Sequence, residues 1–93
     1  MTEVTERLRL LAAPDRADEL ESLVVAEFRA ALMLPEHEDL PLDESFFDLG
    51  MTSLLLVGLK ERLEALLSVQ ISANALFNRP TVAALVDHLN DLV

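Results

Sequence analysis

Apolar residues recur at helical spacing along this sequence, and that spacing constrains the fold more than any other feature. Ahead of Pro35, intervals of three and four residues are filled by Leu20, Leu23, Val24, Phe28, Ala31 and Leu32. Such a pattern predicts a helix with one buried face. We therefore predict a first long helix from about Asp15 to Leu34, with Asp15 as its cap and Pro35 ending it.

Two later segments show the same periodicity. The segment from Ser53 to Leu67 is predicted to be a helix whose inward residues are Val57, Leu59, Leu63, Leu66 and Leu67. A last helix is expected to start with Pro80 near its first position, and its buried stripe is predicted to be Val82, Leu85, Val86, Leu89 and Leu92. A brief helical turn is expected from Ser72 to Phe77. Residues 2–13 are predicted to form a short helix with Val4, Leu8 and Leu11 on one side.

Composition supports a single small helical domain. The chain has 93 residues, no cysteine, no Trp or Tyr, two glycines and four prolines. We predict an all-α fold, a small antiparallel bundle of three main helices plus one short helix, with a long acidic first loop. We expect residues 15–93 to form this domain. Residues 1–14 are expected to be a short helix or an N-terminal extension, and three roles stay open for them: an element of the fold, a segment that docks a partner, or a frayed terminus.

The loop over residues 35–51 is long for a compact domain, and such loops are often functional. It contains no Lys or Arg, and its acids are Glu36, Glu38, Asp39, Asp43, Glu44 and Asp48. Leu42 and one of its two phenylalanines are expected to attach it to the core. With a net charge of −10, the surface would repel nucleic acid and anionic membranes and attract a basic protein partner.

The end of this loop has the residue types of a helix start. Gly50 can adopt positive φ without steric cost. Thr52 and Ser53 have oxygens that can accept hydrogen bonds from unpaired N–H groups. Because the positive end of a helix dipole meets solvent there, the same position suits an anion such as phosphate. Judged on these residues alone, Ser53 is either an ordinary cap or a phosphate attachment point.

The run Asp48-Leu49-Gly50-Met51-Thr52-Ser53-Leu54 resembles the Asp-x-Gly-x-x-Ser-Leu signature of acyl and peptidyl carrier proteins. A second run, from Ala75 to Leu85, is similar to the Phe-x-x-Pro-Thr closing motif of the carrier domains of modular polyketide synthases. The resemblance covers about residues 20–93. It implies that Ser53 carries a covalent 4′-phosphopantetheine arm.

This resemblance implies a non-catalytic acyl carrier protein that holds an acyl or aminoacyl group as a thioester and presents it to other enzymes. The implied partners are a phosphopantetheinyl transferase, an acyltransferase or ligase that loads the arm, and polyketide synthase domains. We expect a discrete, monomeric, cytoplasmic protein. A peptidyl carrier of a nonribosomal peptide pathway, or an acidic helical interaction domain without a prosthetic group, remain as alternatives.

Two positions depart from the family pattern. Thr52 stands where an acid is common before the serine, and Gly58 stands where polyketide carriers usually have Glu. Both positions lie on or near the face that partner enzymes contact in the family. We therefore predict that Thr52 belongs to a partner-binding set whose recognition has shifted toward Asp48, Met51, Leu54, Glu61 and Glu64.

No other chemistry is predicted. His37 and His88 are the two histidines, and no spacing indicates a Ser-His-Asp set. The loop acids lack EF-hand spacing, so no metal site is expected. We find no apolar run of about 18 residues and no signal peptide.

Overall fold

The computed structural model describes residues 2–35 and 38–93, with side chains described from residue 6 onward in those ranges. Within them the chain forms five helices: α1 (Thr2–Leu10), α2 (Ala13–Leu32), α3 (Ser53–Leu67), α4 (Ala73–Asn78) and α5 (Val82–Leu92). The predictions made for Glu36 and His37 lie outside the described residues. Among the residues that are described, no helix combines the length and apolar character needed to cross a bilayer.

The α2 helix organises the core, because it packs against α5, α3 and α1. Its fully buried residues are Leu20, Val24 and Phe28, as the sequence pattern predicts. The all-α fold is confirmed, and α1 adds a further short helix that packs on α2 and α3. Leu8 of α1 is buried in the common core, so this segment is a structural part of the fold.

The α2 helix begins and ends two residues before the predicted bounds. Asp15 lies in its first turn and is not the cap; Ala12 occupies that position without a side-chain hydrogen bond, and Pro14 lies in the first turn. Met33 ends the helix in a left-handed conformation with φ of 56°. The N–H of Leu34 then bonds the Arg29 carbonyl at 3.0 Å, so the chain leaves the helix before Pro35 is reached.

The α3 helix has the predicted bounds, but its buried face is rotated. Leu56 is 1% exposed, whereas Val57, predicted to face inward, is 50% exposed. Leu59, Leu63 and Leu67 are buried as predicted. The error arises because four consecutive apolar residues follow Ser53 in α3. Periodicity alone cannot decide whether Leu56 or Val57 of this run is the buried one.

The last two helices are close to the prediction. Ser72 caps α4 by accepting a hydrogen bond from the Ala75 N–H at 3.2 Å. Thr81 caps α5 in the same way through the Ala84 N–H at 3.1 Å, so Pro80 lies before the helix and not in its first turn. The predicted stripe of α5 is buried except for Leu92, which is exposed in the last turn.

Candidate functional site

A tight turn over residues 45–51 leads into α3. The Phe46 carbonyl accepts hydrogen bonds from the N–H groups of Leu49, at 3.2 Å, and Met51, at 3.1 Å. Gly50 has φ of 110°, a conformation that other L-residues rarely adopt. The glycine expected at this turn is therefore required by the backbone, and the turn sets the direction in which α3 begins.

The two hydroxyl residues at the start of α3 have different positions. Thr52 is the N-cap, and its Oγ1 accepts the Leu55 N–H at 3.1 Å. Ser53 is the first helical residue and its side chain is exposed. Its hydroxyl has no hydrogen-bond partner among residues 2–35 and 38–93. Because Thr52 provides the cap, the Ser53 oxygen is free for other chemistry.

The backbone around Ser53 favours an anion. Within the described ranges, the N–H groups of Ser53 and Leu54 have no acceptor, as is usual in a first helical turn. The first turn of α3 contains no acidic residue. The positive end of the helix dipole therefore faces solvent uncompensated beside an exposed hydroxyl, which suits a phosphate on the Ser53 oxygen.

The loop before this turn is attached to the N-terminal end of α5. The Phe46 N–H donates to the Pro80 carbonyl at 2.8 Å, and the Ala83 N–H donates to the Leu42 carbonyl at 3.0 Å. Phe46 is fully buried, and its ring lies 5.2 Å from that of Phe28. The predicted attachment of the loop through Leu42 and one phenylalanine is confirmed, and it fixes the position of Ser53.

The acids of the loop remain available to a partner. The described loop acids are all exposed: Glu38, Asp39, Asp43, Glu44 and Asp48. The ion pairs formed among the described residues involve none of them. The loop that leads to Ser53 therefore presents unneutralised carboxylates to solvent, and a cationic surface would be attracted to it.

The structure divides the predicted partner-binding residues. Asp48, Thr52, Leu54 and Glu61 are exposed, and Leu54 is 82% exposed. The prediction is wrong for Met51, which is 4% exposed and belongs to the hydrophobic core. The turn at Gly50 directs the Met51 side chain inward, so it cannot contribute to an external surface.

Glu64 is held by its own chain. Its carboxylate accepts the Ile71 N–H at 2.8 Å and pairs with Lys60 at 3.1 Å. The hydrogen bond from Ile71, and then the pairing with Lys60, lower the pKa of Glu64 from its ordinary value. Glu64 thus connects α3 to the segment that leads to α4, a role that its sequence position does not reveal.

A groove between α2 and α3 was not predicted. It has a volume of about 550 Å³ and begins at Leu54, beside Ser53. The bond between the Arg62 Nε and Glu27 Oε1, at 2.6 Å, lies at its other end. The sequence did contain a signal for an exposed apolar surface, namely the run of four apolar residues that follows Ser53. One buried stripe of a helix cannot include four consecutive residues, so some of them had to be exposed.

His88, the histidine that the structure describes, does not combine with the described acids into a metal site. The Nε2 of His88 accepts the Ser72 N–H at 3.4 Å, which makes it a contact between α4 and α5. Within the described part of the chain, no group of three or more His, Asp or Glu side chains could hold a metal ion.

Comparisons with known proteins agree with this geometry. A family model described as "Phosphopantetheine attachment site" matches residues 22–89. The chain is 34% identical over 86 residues to phenolphthiocerol synthesis polyketide synthase type I Pks15/1 of Mycobacterium marinum, covering 92% of this chain and 4% of that protein. It is 35% identical over 86 residues to erythronolide synthase EryA3 of Saccharopolyspora erythraea, covering 91% of this chain and 3% of that protein.

A solved structure is similar over nearly the whole chain. The A1-type ACP domain from module 5 of MLSA1 superposes with a TM-score of 0.84 at 29% identity, covering 99% of this chain and 92% of that domain. The chain therefore has the length of one carrier domain, whereas it spans only a few per cent of the curated relatives that it matches.

Proposed function

Because the chain belongs to the phosphopantetheine-attachment family of acyl carrier domains, we propose that Ser53 is the residue that carries the 4′-phosphopantetheine arm. The observation that carries this proposal is the exposed and unbonded Ser53 hydroxyl at the first position of α3. It lies beside two N–H groups without acceptors, and Thr52 supplies the cap in its place.

The residues around Ser53 support attachment chemistry. The Ser53 hydroxyl gives its proton to a base on the transferase, and its oxygen bonds the phosphorus next to the pantetheine in coenzyme A. The P–O bond between that phosphorus and 3′,5′-ADP breaks, 3′,5′-ADP leaves, and a phosphodiester remains on Ser53. The N–H groups of Ser53 and Leu54 stabilise the negative charge of the diester through the helix terminus. When attached, the arm supplies a terminal thiol that holds an acyl group as a thioester.

The chain acts as a carrier, and other enzymes act on its arm. In the proposal, a phosphopantetheinyl transferase installs the arm, and an acyltransferase or ligase loads it. Polyketide synthase domains then use the tethered acyl group, which is supported by the similarity to carrier regions of polyketide synthases. Tethering raises the effective concentration of the acyl group at whichever enzyme docks.

Intact mass spectrometry tests this assignment. The purified chain is incubated with coenzyme A, magnesium and a promiscuous phosphopantetheinyl transferase. We expect the mass of one arm to be added to the wild type and none to Ser53→Ala. Ser72→Ala is the matched control, because Ser72 is also a serine at the start of a helix; it should still accept one arm.

Two results would contradict the proposal. An arm on Ser53→Ala would move the attachment point to another residue. A folded wild type that accepts no arm would instead favour an acidic helical interaction domain without a prosthetic group. Circular dichroism of each variant establishes that the compared chains are folded.

A further inference from the structure

The groove between α2 and α3 has small side chains on both walls. Ala30 and Ala31 face it from α2, and Gly58 faces it from α3. The two helices run antiparallel here, since the C-terminal end of α2 lies beside the N-terminal end of α3 while Glu27 pairs with Arg62. The open end of the groove therefore lies at the same end of α3 as Ser53.

Gly58 has no structural reason to be glycine. Its φ is not in the positive region, unlike that of Gly50. Apart from the neighbouring residues and backbone of α3 itself, a Cβ built on Gly58 would have no atom within 4 Å, so packing against another element does not require its absence. Glycine inside a helix costs about 1 kcal/mol relative to alanine. The missing side chain of Gly58 leaves the groove open.

The rim of the groove is apolar and exposed beside the attachment residue. Leu54 is 82% exposed and Leu55 is 39% exposed, and neither is covered by another described element. Contiguous exposed apolar surface of this kind marks interaction sites. The loop acids, including Asp43 and Glu44, belong to the segment that leads to Ser53; they are exposed and have no ion-pair partner among the described residues.

Building on the proposed function, we propose that this groove receives an apolar side chain of the phosphopantetheinyl transferase. That enzyme must bring coenzyme A within bonding distance of the Ser53 oxygen, so its surface must cover the neighbouring Leu54. The loop acids select a transferase surface with cationic side chains around the apolar one. Gly58 is then a specificity-determining residue, because its missing side chain makes the space into which the partner inserts.

Two substitutions at one position test the groove. In Gly58→Leu, the side chain leans toward the preceding turn and covers the groove near Leu54 and Leu55. In Gly58→Ala, the added methyl group leaves most of the groove open. Both replacements favour the helix, so loss of folding does not explain a difference between them.

The measurement is the steady-state rate of arm transfer from coenzyme A by a phosphopantetheinyl transferase that discriminates among carrier domains. We expect Gly58→Leu to raise the KM for the apo chain about tenfold, which corresponds to about 1.4 kcal/mol, with kcat unchanged. The KM of Gly58→Ala should stay within about twofold of the wild-type value, a free-energy change well under about 1.4 kcal/mol. Ala30→Leu fills the groove from the opposite wall and should act like Gly58→Leu, whereas Ala26→Leu, one turn away on α2 and outside the groove, should not.

Each other result has a defined meaning. Equal KM values for Gly58→Leu and Gly58→Ala overturn the inference while the proposed function stands. A dimer of the wild type that Gly58→Leu abolishes would assign the groove to a second copy. Shifts of the Gly58 and Ala30 amide signals caused by an acyl-loaded arm, without transferase present, would assign it to the cargo. A wild type that accepts no arm overturns both proposals together.

Discussion

Thr52 and Ser53 are adjacent hydroxyl residues, yet only Thr52 contributes to the start of α3. The Thr52 Oγ1 accepts the Leu55 N–H, while the Ser53 hydroxyl makes no bond within the described residues. We expect Thr52→Ala to lower the free energy of unfolding by about 1 kcal/mol, the usual value for a lost N-cap. Ser53→Ala should change it by less than about 0.5 kcal/mol. Urea denaturation of the apo variants measures both; an equal loss would mean that Ser53 shares the cap.

The two glycines allow a matched experiment on the backbone. Gly50 has φ of 110°, and a Cβ there would lie 3.8 Å from Leu32 Cδ2, so the cost of a side chain comes from the backbone and not from a clash. Gly50→Ala should therefore destabilise the chain by an amount on the order of 1–3 kcal/mol. Gly58→Ala is the control, and it should stabilise the fold by about 0.5–1 kcal/mol. Chemical denaturation that ranks the two variants in the opposite order would contradict the assigned turn.

Sequence periodicity predicted where the helices lie better than which of their faces is buried. The bounds of α3 were predicted because Ser53 follows a turn glycine and Leu67 ends the periodic run. The choice between Leu56 and Val57 could not be made, since both fit an apolar stripe until α2 is placed beside α3. Met51 was assigned to the surface because the direction imposed by the Gly50 turn exists only in three dimensions.

The connection between α3 and α4 should depend on pH through Glu64. Its hydrogen bond from Ile71 lowers its pKa in the folded state. The stabilisation is therefore present above the unfolded pKa and is lost as pH falls through the folded pKa. We expect the stability difference between wild type and Glu64→Gln to shrink as pH is lowered from about 5 to about 3.

This effect should be small, below about 1 kcal/mol, because the group lies near the surface. Urea denaturation across that pH range measures it. Glu61→Gln is the matched control, since Glu61 lies on the same helix, is exposed and has no ion pair among the described residues. If the stability difference between wild type and Glu64→Gln grew as the pH was lowered, the hydrogen bond from Ile71 would not be stabilising the charged form of Glu64.

The all-α bundle and the acidic loop could be predicted from the sequence, because both depend on local patterns. The groove did not, since it requires Ala30 on one helix and Gly58 on another to be brought together. The assignment of Ser53 lies between these cases. Its residue types allowed two interpretations, and the structure showed that Thr52 provides the cap and leaves the Ser53 hydroxyl free.

The acidic loop and the apolar groove should respond differently to salt, because only the loop acts through charge. Screening shortens electrostatic attraction to about 10 Å at 0.1 M ionic strength. The KM of the wild-type chain for the phosphopantetheinyl transferase should therefore rise with salt. Asp43→Asn combined with Glu44→Gln should raise KM at low salt and flatten the salt dependence.

Glu21→Gln combined with Asp91→Asn removes the same charge from α2 and α5 and should leave the salt dependence close to that of wild type. Gly58→Leu should raise KM by a similar factor at every salt concentration, since an occluded apolar contact is not screened. If both charge-neutralised pairs flatten the salt dependence equally, net charge and not the loop attracts the transferase.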